Sequence, residues 1–229
     1  MKNCNAAENR TTSRILLTAC ATALALAFAV ALPQPAYADE VTVPPVPANI
    51  AVPAGSEVFF VGHGVGTQNY VCLPSGSGVG FVLFTPEATL FSDDSKQITT
   101  HFFSPNPFEN NANPAVSAVG PIRATWQHSR DTSTVWGQVK PGNSSSDPAF
   151  VAPDAIAWLL VTVVGADNGP AGGDALTETT FIQRLNTSGG VAPSTGCNSG
   201  TDVGHLAFVP YTADYFFYKA PERRADHGN

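Results

Sequence analysis

Beyond residue 55, hydrophobic and polar positions alternate mostly with a period of two. That spacing turns one face of a strand to a core and the other to solvent. It predicts short strands over residues 57–62, 67–73, 80–84, 88–91 and 98–103. Residues 122–128 and 134–139 read as a hairpin around Ser129-Arg130-Asp131-Thr132. In its second arm Val135, Gly137 and Val139 share one face, and Thr134, Trp136 and Gln138 share the other. Residues 156–164 are continuously apolar between Pro153 and Gly165. They read as a central strand buried on both faces, with a short core helix as the alternative. A Thr-rich strand over 177–186 follows, and 213–219 closes the body with Tyr215, Phe216, Phe217 and Tyr218. Alternation there would expose either Phe216 and Tyr218 or Tyr215 and Phe217, and an exposed aromatic row would mark a binding face.

Nine or ten short strands with turn-rich spacers, and no long amphipathic helix pattern, predict an all-β fold. The expected architecture is a single-domain antiparallel β-sandwich with long loops, with a β-barrel as the alternative. Gly (20) and Pro (19) are abundant, which suits many turns. The connections over 104–121, 141–153, 166–175 and 188–204 are long. If the first and last lie on one rim, they build a binding surface. Residues 41–54 (Val-Thr-Val-Pro-Pro-Val-Pro-Ala-Asn-Ile-Ala-Val-Pro-Ala) read as an extended, polyproline-like leader rather than a packed element. The body spans 56–220, the leader 39–55, and the polar tail 221–229.

The first 38 residues read as an export signal. Lys2, Arg10 and Arg14 precede an apolar run over 15–32, and Ala36-Tyr37-Ala38 supplies a small-x-small cleavage site. The run is near the minimum for a membrane anchor, but its ending favours cleavage after Ala38. Leu17-Thr18-Ala19-Cys20 imitates a lipoprotein box, yet too few apolar residues precede Cys20. The expectation is a periplasmic or extracellular protein with no membrane contact after cleavage. The net charge is −7 overall, and losing Lys2, Arg10, Arg14 and Glu8 leaves 8 basic and 17 acidic residues. An acidic chain argues against nucleic acid or anionic membrane as a partner. Cleavage also removes Cys4 and Cys20, so Cys72 and Cys197 remain in an oxidising compartment and are expected to pair.

Several stretches, taken in order, resemble one family. They are Gly-Val-Gly-Thr-Gln-Asn-Tyr-Val-Cys (64–72), Pro-Glu-Ala-Thr-Leu-Phe (86–91) and Ala-Thr-Trp-Gln-His-Ser-Arg-Asp-Thr-Ser-Thr-Val-Trp-Gly (124–137). Thr-Phe-Ile-Gln-Arg-Leu-Asn-Thr-Ser-Gly-Gly-Val-Ala-Pro (180–193) and Val-Pro-Tyr-Thr-Ala-Asp-Tyr-Phe-Phe-Tyr (209–218) complete the set. The chain is identified as similar to the family catalogued as domain of unknown function 3455, whose members are largely exported bacterial and fungal proteins. The resemblance implies secretion and a single domain, and it carries no catalytic residue over. Cys72 and Cys197 fall at its cysteine-bearing motifs. Some fungal relatives bear a dehydrogenase label that the residues here do not support.

The remaining chemistry is sparse. Gly62-His63-Gly64-Val65-Gly66 follows a strand, but a dinucleotide loop needs a helix next, and Thr67–Cys72 reads as another strand. A Gly-rich β-turn fits better, and no cofactor is expected. No Gly-x-Ser-x-Gly elbow or His-Glu-x-x-His helix occurs. Two cysteines without a nearby His make a poor zinc site, and no metal is expected. His101 and His128 lie beside aromatics and could meet Asp131 or Asp214 in an acid–base set, the basis of a secreted hydrolase or lyase. Ordinary strand histidines are the plainer reading. Gln68, Asn69 and Tyr70 have the polar–aromatic character of a ligand-binding edge, although Asn and Gln also tie down turns. Arg184 shares a strand face with Glu178 and is read either as half of an ion pair or as a ligand contact. Gly189-Gly190 suits a turn with positive φ. Asn143 and Asn186 head glycosylation sequons expected to go unused behind a bacterial-looking signal. The leading expectation is therefore a binding module for a small molecule, a glycan or an envelope component.

Overall fold

The structure, a computed structural model, describes residues 41–110 and 119–221. The expected export segment, the middle of the 104–121 connection and all but the start of the polar tail lie outside the described residues. Eight strands follow one another: β1 (Glu57–Ser75), β2 (Gly78–Phe91), β3 (Gln97–Pro105), β4 (Ile122–His128), β5 (Thr134–Ser145), β6 (Trp158–Asp167), β7 (Thr179–Gly189) and β8 (Leu206–Lys219). Each pairs antiparallel with the next, and β8 returns to β1 to close a barrel. The all-β reading holds, and of its two architectures the barrel is the one present. A period of two looks the same in either; what decides between them is the long β1–β8 seam, which runs from Glu57 opposite Lys219 to Val71 opposite Leu206.

That seam corrects one expectation. Gly62, Gly64 and Gly66 form no turn. They lie inside the 19-residue β1, and Gly64 pairs with Leu90 on one side and Ala213 on the other. The predicted strands 57–62 and 67–73 are halves of β1, and 80–84 and 88–91 are halves of β2. The glycines serve close approach. A Cβ on Gly64 would sit 2.8 Å from Cε2 of Tyr215, and one on Gly62 2.9 Å from Cβ of Leu90. Bare backbone on this inner face leaves room for the large side chains of β2 and β8.

Two apolar clusters hold the wall from its two sides. Inside the barrel, Leu90, Trp126, Val135, Ile182, Tyr215 and Phe217 pack together. Outside it, Trp158, Leu160, Leu185, Phe216 and Tyr218 pack against Ile50, with Val43, Val46 and Val52 around them. The segment read as an unpacked leader is thus a packed one. It makes a single 3₁₀ turn at Ala48–Ile50 among its described residues, and Ile50 is 0% exposed. Hydrogen bonds fix it: Gln183 Nε2 donates to Ile50 O at 2.7 Å, and Asn49 Nδ2 donates to Gly142 O at 2.8 Å and Ser144 O at 2.9 Å. A proline-rich strand can be held this way because it has few backbone donors to satisfy and can offer its side chains to a neighbouring sheet. The aromatic row of β8 is consequently buried on both faces and forms no exposed patch, with Tyr215 and Phe217 inside and Phe216 and Tyr218 beneath the leader. Residues 158–161 likewise have both faces covered, as the apolar run predicted.

An up-and-down order places the β1–β2, β3–β4, β5–β6 and β7–β8 connections on one rim. The described ends of the β3–β4 connection and the β7–β8 connection therefore share it. A disulfide between Cys72 and Cys197, with Cα atoms 5.4 Å apart, ties the β7–β8 connection to the end of β1. No helix among the described residues is long and apolar enough to cross a membrane.

The leader's role is measurable. Ile50→Ala should lower the unfolding free energy by about 2–5 kcal/mol. Val65→Ala, at a position 54% exposed, should change it by no more than about 0.5 kcal/mol. Denaturant titration of the oxidised protein reads both; a neutral Ile50→Ala would show that the segment is merely laid on the barrel.

Candidate functional site

Inward-pointing side chains fill the barrel away from the loop rim, where Leu90, Ile182 and Phe217 are all 0% exposed. Towards the rim the inner positions include Ala124, and the rim segments contribute Ala155, Ala157 and Ala192. These small residues leave a cavity of about 540 Å³. An eight-stranded barrel is just wide enough either to pack solid or to hold one small ligand. The volume falls in the ordinary range for a drug-sized ligand, roughly 300–1,000 Å³.

The cavity has two kinds of wall. Tyr70, His101, Phe103, Trp126 and Tyr215 supply an aromatic side, and Leu83, Ile156, Leu159, Val161 and Val191 an aliphatic one. The His101 imidazole stacks on Trp126, with centroids 4.2 Å apart and planes at 9°. Its Nδ1 lies 2.9 Å from Thr125 O, so it is Nδ1 that carries the proton and donates, leaving Nε2 as the acceptor. Burial pushes the His101 pKa down to about 3 against the pull of the Thr125 carbonyl, so the ring is neutral. Desolvation raises the pKa of Tyr215 and Tyr70, so both phenols keep their protons.

Of the expected ligand-binding residues, Gln68, Tyr70 and Arg184 line this cavity. Asn69 does not. It lies between the inward-facing Gln68 and Tyr70, so alternation along β1 turns it to the opposite face, where it is 1% exposed. Tyr70 donates its hydroxyl to Gly190 O at 2.6 Å, tying β1 to the β7–β8 connection. The Gly189-Gly190 pair does have positive φ, 67° and 84°. Arg184 stands between Leu159 and Tyr215 in register, and its Nη2 donates to Ala157 O at 2.8 Å. The considered ion pair with Glu178 is not formed. Glu178 precedes β7, while Arg184 belongs to the cavity wall.

The acid–base candidates do not converge. His101 is in the cavity without a carboxylate partner. His128 bonds Asp131 at 2.9 Å in the β4–β5 turn, at the opposite rim. Asp131 also accepts from Ser133 N, Ser133 Oγ and Ala175 N, and it anchors that turn. Burial opposes the charge on Asp131, but those hydrogen bonds outweigh it and draw the pKa well below the carboxylate range. Asp214 pairs with His63, a histidine not singled out in the sequence, at 2.7 Å, and accepts from Asn186 Nδ2 at 2.7 Å. The other His63 nitrogen meets Asp93 at 2.9 Å. Hydrogen bonds to Asp214 and then Asp93 raise the His63 pKa, so this cluster favours a fixed imidazolium over a free base. Only the β1–β8 register brings His63 opposite Asp214, and nothing local in the sequence marks it. Trp126, Phe103 and Tyr215 were not read as site residues either; their shared inward phase with His101 was the available signal. Among the described residues no three His, Cys, Asp or Glu side chains cluster as a metal site.

Comparison with known proteins supplies no activity to carry over. No curated protein and no solved structure matches the chain. A family model described as protein of unknown function (DUF3455) matches residues 53–219.

The buried neutral histidine should show in the pH dependence of stability. In the unfolded chain His101 takes a proton near pH 6.5, but in the folded chain only near 3. Between these values the unfolded state binds more protons, so stability falls as pH is lowered. From pH 6.5 to 5 the loss should be about 1–2 kcal/mol. The raised His63 acts on the other side, losing its contribution as pH climbs above 6.5. Denaturation at pH 6.5 and 5 should show a steeper drop for the native protein than for His101→Phe; equal drops would contradict a buried neutral ring.

Proposed function

The chain belongs to that family of unknown function, and from its geometry we propose that it is a binding module that takes one small, largely apolar molecule into the rim end of its barrel. One observation carries the reading: the interior is packed at one end and open at the other, with aromatic and aliphatic walls around a few fixed polar groups. Such a cavity is the usual form of a small-molecule site. The disulfide supports it. Val191 and Ala192 on the cavity wall belong to the connection that Cys197 fastens to Cys72. A fastened mouth holds its shape before a ligand arrives and lowers the ordering cost of binding.

The notion of an exported protein fits this reading. The Cys72–Cys197 bridge and the signal-like start both suit an oxidising compartment outside the cytoplasm. A hydrolase or lyase would need a histidine and a carboxylate within reach of each other inside the cavity. The pairs His63–Asp214 and His128–Asp131 include no cavity-lining residue. The binding reading is therefore preferred, with no cofactor called upon.

The neutral fluorophore N-phenyl-1-naphthylamine provides a direct test. It should bind the oxidised protein saturably at one site per chain. Ala192→Trp, which fills the mouth from a rim segment, should weaken binding at least about tenfold. Failure to saturate, or indifference to Ala192→Trp, would sink the reading.

A further inference from the structure

We infer that the molecule taken by this cavity is a small organic acid with an apolar body, its carboxylate held by Arg184 and its body lying against the Trp126–His101–Tyr215 wall. The inference rests on the cavity-binding reading above and names the chemical class of its ligand.

Arg184 carries a charge with no counter-charge beside it among the described residues. Arg184 lies on the cavity wall, its Nη2 donates to Ala157 O at 2.8 Å, and its guanidinium also hydrogen-bonds the Tyr215 hydroxyl. Its Nε is buried without a partner. Among the described residues no carboxylate forms an ion pair with it. The fold is able to pair an arginine when it needs to: Arg123 meets both oxygens of Glu109 at 2.7 Å. With 18 acidic residues in the chain, the lack of one beside Arg184 leaves a cation facing a mostly apolar cavity. A guanidinium stays charged, and a charge drawn partly out of water favours a counter-charge.

The groups around it offer none. Tyr70, Tyr211, Tyr215 and His101 all feel the Arg184 charge. Desolvation keeps the three phenols protonated and the imidazole neutral. Of these groups only the Tyr211–Tyr215 hydroxyl pair has a proton left to donate, since Tyr70 gives its own to Gly190 O and His101 its Nδ1 proton to Thr125 O, and none of them can neutralise the cation. A second orphan lies on the same wall: Trp126 Nε1, in a side chain 1% exposed, also lacks a partner. Unpaired atoms occur elsewhere, at Thr99 Oγ1 and Trp158 Nε1, so it is the coincidence of a cation, a donor and a cavity that points to a ligand.

The net charge shapes the choice further. At −7 the protein repels anions at long range. A small hydrophilic anion gains too little from one arginine to overcome that. An acid whose body buries against the aromatic wall adds the apolar contact that makes entry favourable.

Calorimetry on the oxidised full chain with decanoate, 1-decanol and acetate tests this. Decanoate should bind at least about tenfold tighter than 1-decanol, the difference a charge-assisted hydrogen bond supplies, and acetate should not bind. In Arg184→Met the preference for decanoate should shrink to below about threefold, and in Arg184→Lys part of it should return. Arg184→Gln, which keeps a polar side chain without the charge, should show the same loss, a readout that stands if Arg184→Met folds poorly. Equal affinity for acid and alcohol, or a preference that survives Arg184→Met and Arg184→Gln, overturns the inference while leaving the cavity-binding reading in place. Absence of binding by decanoate, 1-decanol and the naphthylamine together overturns both.

Discussion

Closure of β1 onto β8 is the constraint on which everything else in this molecule depends. Without that seam the eight strands would be an open meander with two unpaired edges, exposed to association. With it there is an inside, and the inside has one packed end and one empty end. The seam works because β1 presents glycine on its inner face. Any Cβ at Gly64 would strike the Tyr215 ring, and one at Gly66 would strike the backbone of β2 at Glu87. Three glycines in a strand weaken it locally through lost packing and greater chain entropy. Pairing on both sides along most of its length offsets that weakness.

The wall is reinforced from both sides, and the two reinforcements divide the labour. Inside, the cluster around Phe217 and Ile182 plugs one end. Outside, residues 41–52 cover the β6–β7–β8 surface, so Phe216 and Tyr218 need no solvent. Because apolar burial is supplied by the plug and the leader, the rim end can stay unfilled without the barrel losing its core. The disulfide acts where neither cluster reaches, on the β7–β8 connection beside the cavity mouth.

Strand content was legible in the sequence because a period of two is written into each segment separately. The hairpin at residues 129–133, the doubly buried stretch of β6 and the cysteine pair could be read for the same reason: each depends on local pattern or on simple counting. The glycine row misled because Gly-x-Gly-x-Gly has the composition of a turn. Only the bulk of Tyr215 and Leu90, far off in sequence, explains why glycine is needed in a strand. The leader misled because its prolines suggest an extended chain, and its apolar residues show their purpose only against β6, β7 and β8. Asn69 adjoins Gln68 and Tyr70 in sequence, yet alternation along β1 puts it on the opposite face from both. The pairing of His63 with Asp214 is a fact of register and has no local signature.

Neighbouring residues on β7 show how the barrel separates what it needs for folding from what it keeps for a ligand. Gln183 faces outward beneath the leader, and both ends of its amide are used: Nε2 donates to Ile50 O, and Oε1 accepts from the Tyr218 hydroxyl. Arg184, next along, faces inward and keeps a buried donor unused. Leaving a polar group unsatisfied works against stability, so a fold that satisfies one residue fully has the means to satisfy the next. Asp131 makes the same point at the far rim, where one carboxylate gathers donors from Ser133, Ala175 and His128. Gln183 and Asp131 are thus completed by the structure, whereas the incomplete cation stands on the wall of an open cavity. Physical chemistry assigns the completion of such a group to whatever enters.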